Sequence, residues 1–212
     1  MRMLLTVMPR SSRTRRRVSR SGASLIEMAL FLPFLLFLVF AALTTGLVLD
    51  RHLSALQLTR YAGSMYARGT DFNFTSNRNL LLMGASGLGI TLNAGNGVIY
   101  LSSVVKASPG TANQNLLVIS ERFVIGNDSL SASRIGTPSP AIWPDSTAPL
   151  PNGLVHDFEN QPSALATLPA AFQDINLNER VYVVEVFYSL AGIGGWTSLL
   201  SGSQIMYSRA FF

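Results

Sequence analysis

The chain has 212 residues, enough for one ordinary domain with an appended segment. It contains no cysteine, which excludes a disulfide scaffold, a thiol nucleophile and a Cys-ligated metal site. Lysine and arginine number 16 against 11 acidic residues, but seven of the 16 lie in the first 22 residues, and the remainder has nine basic and eleven acidic residues. The excess positive charge therefore belongs to the N-terminal segment, and no nucleic-acid partner is expected.

Residues 28–49 form a run of 22 residues without a charged side chain. As a helix this run spans about 33 Å at ~1.5 Å per residue, enough to cross the ~30 Å hydrocarbon layer of a membrane. Seven arginines precede the run, and Asp50 and Arg51 follow it. The positive-inside bias then predicts a single-pass protein with its N-terminus in the cytoplasm and its C-terminal body outside.

Two residues before the apolar run are unusual for a simple anchor. Gly22 lies among small residues and offers a peptidase an unhindered, extended substrate. Glu27 follows five residues later, and an ionised carboxylate at the edge of an apolar helix is either held at headgroup level or paired and functional.

Residues 20–38 read RSGASLIEMALFLPFLLFL. This run resembles the class III leader of type IV pilins and, more narrowly, the start of the tight-adherence (Tad or Flp) minor pseudopilins of the TadE/TadF type. That family has a glycine, a glutamate five residues later, then Ala-Leu, a proline and several leucines. Ser21 departs from the pattern, because the family often has arginine or another polar residue before the glycine. The close match covers about 30 residues, and the rest matches only in layout.

The resemblance implies a maturation step and a set of partners. A prepilin peptidase would cut between Gly22 and Ala23, and Glu27 would take part in assembly. The implied partners are that peptidase, the major pilin, other minor pseudopilins and an inner-membrane assembly platform. The implied location is the bacterial inner membrane with a periplasmic C-terminal domain, or an extracellular pilus after assembly.

Two rival interpretations of the N-terminus stay open. One is an ordinary signal peptide with an apolar core at 28–39 and a cut after Ala41. The other is an uncleaved signal anchor, which would make the protein a membrane-anchored periplasmic binding module.

Beyond the apolar run the pattern predicts that the helix continues. Leu53, Leu56, Tyr61 and Met65 recur at spacings of three to five residues, and Gly69 is a plausible stop. One helix is therefore expected over about 24–68. Pro33 removes one backbone hydrogen bond from it and is expected to kink it.

Alternating and β-branched segments predict strands in the body of the chain. They lie at 90–92, 98–105, 116–125, 181–190 and 204–211, and the first two are expected to form a hairpin through the turn residues 93–97. A short helix is expected at 79–85. In 181–190, the set Tyr182, Val184, Val186, Tyr188 and Leu190 is wholly apolar and should face the core.

Segment 126–174 holds seven of the ten prolines and Trp143, and is expected to be a surface loop, either pinned by Trp143 or used as a subunit contact. His156, Asp157 and Glu159 could hold a cation, but an isolated cluster of this kind is more often solvated surface. No motif supports catalysis or a cofactor site.

The expected fold class is therefore α+β. It comprises a basic leader (1–22), a transmembrane helix (23–49), its extension (50–69) and a β-rich periplasmic head (70–212) with an antiparallel sheet of four or five strands. The resemblance makes this layout pilin-like.

Overall fold

The computed structural model describes residues 21–138, 153–155, 157–190 and 204–212, with only the backbone for 21–23. The chain divides into two compact units, Met1–Leu43 and Thr44–Phe212. The described residues have an α+β layout, as predicted. The helices and strands are α1 (Ser21–Ala67), α2 (Thr75–Gly84), β1 (Gly97–Lys106), β2 (Leu117–Gly126), β3 (Gly153–Leu154), β4 (Arg180–Ser189) and β5 (Ile205–Phe211).

Helix α1 is 47 residues long and close to the predicted helix at both ends. It ends as the sequence indicates, because Gly69 adopts a positive φ of 83°. The Gly69 N–H donates to the Tyr66 carbonyl at 2.9 Å, and the Thr70 N–H donates to the Met65 carbonyl at 3.1 Å. This pair of bonds is the Schellman arrangement, which satisfies carbonyls that would otherwise lack a partner at the helix end.

The five strands form one antiparallel sheet in the order β3-β2-β1-β4-β5. Leu101 in the middle of β1 lies opposite Phe123 of β2 and Val184 of β4, which fixes the register. A bulge between Ser103 and Val104 shifts the β1–β2 pairing by one residue. The Ser120 hydroxyl donates to the Ser103 carbonyl there at 3.1 Å.

One face of the sheet, the helix face, packs against α1 and α2. The predicted apolar set of β4 faces this side: Val184, Val186 and Tyr188 are buried. Each fully buried side chain of this size contributes roughly 1.5–3 kcal/mol relative to an exposed one. The helices supply the other half of this core, through Ala55, Leu58, Ala62, Tyr66 and Leu81.

The opposite face, the loop face, is also buried, which the sequence did not lead us to expect. Val104, Val181 and Val183 form a second core with Ile135, Val155, Ala164 and Leu168. The last four belong to segment 126–174, so its described parts cover the sheet rather than forming only a surface excursion. Trp143 lies outside the described residues.

One local prediction was wrong, and another was confirmed with different bounds. Residues 90–92 do not form a strand, because Ile90 makes only an isolated bridge to Gly95. Strand β1 pairs with β2 and β4, and not with residues 90–92. Helix α2 begins four residues earlier than expected. Its first turn is held by side chains that reach back to preceding carbonyls: Asn77 donates to Asp71 at 2.7 Å and Arg78 donates to Asn73 at 2.8 Å.

Candidate functional site

The first half of α1 presents an apolar surface on all sides. Leu25, Phe31 and Phe34 have 69%, 65% and 61% of their surface exposed, and the other large apolar side chains before Leu49 are similar. A cylinder about 33 Å long and ~10 Å wide has an area on the order of 1,000 Å². Monomeric soluble proteins rarely expose an apolar patch above roughly 600 Å². This surface therefore requires lipid or other apolar helices around it.

Within the described residues, one helix is long and apolar enough to span a membrane, and it is this one. A core helix of a soluble protein can have the same length and composition, but such a helix is buried. The apolar part of α1 is not buried at all. Its exposure is consistent with a membrane anchor, although a signal sequence near the N-terminus has the same length and composition.

Glu27 is the one charged residue of α1 before Asp50. Its neighbours Leu25, Ile26 and Met28 are about 70% exposed. No hydrogen bond or ion pair joins its carboxylate to any part of the chain that the structure describes. Ala23 lies four residues before Glu27, so the two positions share one face of the helix.

Gly22 and Ala23 lie in the first turn of α1, which begins at Ser21. The sequence suggested an extended backbone here, and the structure instead has helix.

Pro33 lies inside α1, and the helix is unbroken on both sides of it. Because proline has no N–H, the carbonyl of Ala29 lacks its usual intrahelical donor. The kink expected at Pro33 stays a prediction.

The second half of α1 packs on the head through Leu58, Tyr66 and several small residues, so the buried face only partly coincides with the predicted one. Leu53 and Tyr61 are 49% and 46% exposed, whereas Ala55 and Ala62 are fully buried. At Gly63, an added Cβ would lie 1.8 Å from the Phe212 ring, so the absence of a side chain lets that ring pack on the helix. Alanine and glycine thus bring the helix and the sheet into close contact.

Sequence reasoning also missed a buried ionic network on the loop face. Arg122 is 2% exposed and Glu185 is fully buried. The Arg122 guanidinium donates to the Ser102 hydroxyl at 3.1 Å, to the Gly136 carbonyl at 2.5 Å and to the Ser133 hydroxyl at 3.1 Å. The signal for this network was a charged residue in the interior of each strand, Arg122 beside Glu121 in β2 and Glu185 in β4.

Glu185 completes the network from β4. It accepts hydrogen bonds from the Ser133 hydroxyl, from the Arg134 N–H at 3.1 Å and from the Tyr207 hydroxyl at 2.8 Å. The Ser133 hydroxyl therefore bridges the guanidinium and the carboxylate. These bonds fasten residues 133–136 to the sheet.

Burial changes the pKa values of this network. Desolvation lowers the pKa of Arg122 to about 10, and the nearby Glu185 carboxylate opposes that change. Desolvation also raises the pKa of Tyr207, and Glu185 raises it further. All of these groups have partners, so the network holds structure and offers no free acid or base for catalysis.

The candidate cation cluster is only partly described, because His156 lies outside the described residues. Asp157 accepts a hydrogen bond from the Asn160 amide at 2.6 Å, and Glu159 accepts one from the Ser108 N–H at 3.0 Å. Hydrogen bonds from Ser108 lower the pKa of Glu159. Among the described residues, no group of three or more His, Asp or Glu side chains could hold a metal ion. These two carboxylates instead brace neighbouring loops.

Comparisons with known proteins found no matching family model, no matching curated protein and no matching solved structure. The function is therefore argued from the residues and geometry above.

Proposed function

We propose that this protein is a minor pseudopilin of a tight-adherence or related type IV-like pilus or secretion system. It is held in the bacterial inner membrane by α1, with the head on the periplasmic side, and enters the filament through the same helix. The observation that carries the proposal is the exposed, apolar first half of α1 with one carboxylate near its start, directly after an arginine-rich leader.

Maturation in this proposal occurs between Gly22 and Ala23, through a prepilin peptidase. Cleavage removes seven arginines and leaves a new amine on Ala23. The partners after cleavage are the major pilin, other minor pseudopilins and the inner-membrane assembly platform.

Glu27 acts in assembly through charge pairing. A carboxylate and an amine each lose hydration when apolar helices pack together, and their attraction offsets much of that loss only if both are present. The mature amine of a neighbouring subunit supplies the charge that Glu27 lacks within the described chain. Processing and assembly are coupled because the amine exists only after cleavage.

The test is co-purification of pilin partners from membranes that carry Glu27→Leu or Glu27→Gln. Both variants should keep the membrane helix and be cleaved normally, but recover several-fold less partner than wild type. Asp50→Asn is the matched control, since it removes the carboxylate at the other end of the apolar run and should not change recovery. If Glu27→Leu assembles as well as wild type, pairing through Glu27 is wrong.

A C-terminal reporter tests the orientation. A reporter fused after Phe212 should be active only outside the cytoplasm, because the leader arginines resist translocation. Activity in the cytoplasm would contradict the proposed topology.

A further inference from the structure

A small cavity lies beside the end of α1, on the helix face of the sheet. Its volume is about 140 Å³. An apolar cavity of roughly 150 Å³ holds a benzene-sized molecule, so one small organic group fits here. The lining residues are Tyr66, Gly69, Thr70, Asp71, Glu121, Phe123 and Tyr182.

Aromatic rings form the apolar part of the wall. The Tyr66 and Tyr182 ring centroids are 4.9 Å apart, and those of Tyr66 and Phe123 are 5.9 Å apart, both in edge-to-face arrangements. Phe72 lies behind them, 5.9 Å from Tyr66. Because these rings are packed against one another, the wall is rigid before any ligand arrives.

Two carboxylates supply the charge in the cavity. Oε2 of Glu121 accepts a hydrogen bond from the Tyr66 hydroxyl at 2.7 Å, and Oε1 has no hydrogen-bond partner within the described chain. Oδ1 of Asp71 accepts from the Asn73 N–H at 2.8 Å. The C-terminal end of α1 adds a partial negative charge at the same place.

Arg180 lies two residues before Tyr182 on β4, on the same face of the sheet. Its charge acts on Tyr66, but it forms no hydrogen bond or ion pair with Glu121 in the described structure. The cavity therefore retains a carboxylate oxygen that an outside cation can reach.

The chemistry of the lining selects one class of ligand. An anion would meet two carboxylates and a helix C-terminus. A neutral apolar group would desolvate Glu121 without pairing it, which is unfavourable. A hard metal ion needs six or more oxygen ligands, and this wall consists largely of aromatic carbon. An organic cation pairs its charge with the carboxylates and places its carbon atoms against the rings.

We propose that this cavity binds an organic cation, a guanidinium or alkylammonium group, with Glu121 as its principal anionic contact. The group could belong to an arginine or lysine side chain of a partner protein or to a free polyamine. This inference does not depend on the proposed function.

The experiment titrates the full chain in detergent micelles with methylguanidinium chloride, against sodium chloride at equal ionic strength. Ring-labelled tyrosine reports binding by NMR, and Tyr182→Phe assigns the Tyr182 signal. The Tyr66 and Tyr182 signals should shift saturably with methylguanidinium and not with sodium. Glu121→Gln keeps the acceptor for the Tyr66 hydroxyl and should weaken binding at least tenfold, whereas Arg180→Gln should tighten it.

Glu179→Gln is the control, since this exposed carboxylate bonds only to Asn176 and should leave binding unchanged. Near-ultraviolet circular dichroism of every variant establishes that the fold is kept. Titrations with blocked arginine amide and with spermidine distinguish a side-chain ligand from a free polyamine. Equal shifts in sodium chloride, or equal affinity of Glu121→Gln and wild type, would overturn the proposal.

Discussion

Replacing Glu185 should unfold the head far more easily than replacing any surface carboxylate. The change Glu185→Gln keeps the volume but removes the charge that faces the buried Arg122 guanidinium. The Ser133 hydroxyl bridges the two charges, which are not in direct contact in the described structure. Removing one of two opposite buried charges costs about 3–5 kcal/mol, because the other stays buried without its counter-ion. Domains of this size are stable by only ~5–15 kcal/mol, so this loss is a large fraction of the total.

A double-mutant cycle separates the pair from its surroundings. Arg122→Met should cost a similar amount, and the double variant Arg122→Met/Glu185→Gln should cost clearly less than the sum of the two single changes, because it leaves no unpaired charge. The magnitude follows from the geometry: Glu185 accepts three hydrogen bonds and Arg122 donates three, all from buried or half-buried positions.

The assay is urea unfolding of the full chain in detergent, followed by near-ultraviolet circular dichroism. With a slope of about 2 kcal/mol per M, the midpoint for Glu185→Gln should fall by about 2 M. Urea is preferred to guanidinium chloride because it does not screen charges. Glu179→Gln, on the surface, should leave the midpoint unchanged. A Glu185→Gln midpoint equal to wild type, or additive costs in the cycle, would refute the role of the buried network.

Three further predictions concern the packing of α1 and the buried tyrosines. Gly63→Ala should lower the melting temperature, because the added methyl group displaces the Phe212 ring. In a Phe212→Ala background the same change should raise the melting temperature, since alanine favours helix by ~1 kcal/mol over glycine. A change of the same sign in both backgrounds would disprove the contact. Burial raises the pKa of Tyr66. In the unfolded chain Tyr66 ionises near pH 10, while the folded chain keeps it protonated, so the stability of the fold should decrease as the pH rises above ~10. Absorbance at alkaline pH should show Tyr66 ionising together with unfolding. Ionisation of Tyr66 near pH 10 in the folded state would contradict this. A fragment of residues 50–212 should unfold cooperatively, whereas residues 70–212 alone should not, because they lack the buried residues of α1; equal cooperativity in both would show that α1 is dispensable for the head.

The sequence predicted helices and strands correctly where apolar residues repeat with a clear helical or strand period. Four strands were predicted to within one or two residues because β-branched and aromatic residues alternate in them, and α1 was predicted because a long apolar run continues into a helical pattern. The residues after Ile90 form a turn, as their composition predicted. That composition could not show that β1 pairs with β2 and β4.

The errors arise from contacts that no local pattern encodes. The face of α1 that packs on the head includes Ala55, Ala62 and Gly63 as well as Leu58 and Tyr66. The small residues give no hydrophobic signal although they allow the closest approach. The residues that cover the loop face are scattered through 126–174 and follow neither the helical nor the strand period. The sequence therefore did not predict that this face of the sheet is buried. The Arg122–Glu185 network depends on residues 63 positions apart in the chain, and their pairing depends on the register of three strands.

The N-terminal residue of the protein purified from membranes tests the central claim most directly. Edman sequencing or intact mass should give Ala23 as the first residue, and Gly22→Trp should leave the chain uncleaved. Met1 as the first residue of the wild-type protein would indicate an uncleaved anchor, and Ala42 would indicate a secreted protein; either result would contradict the pseudopilin account.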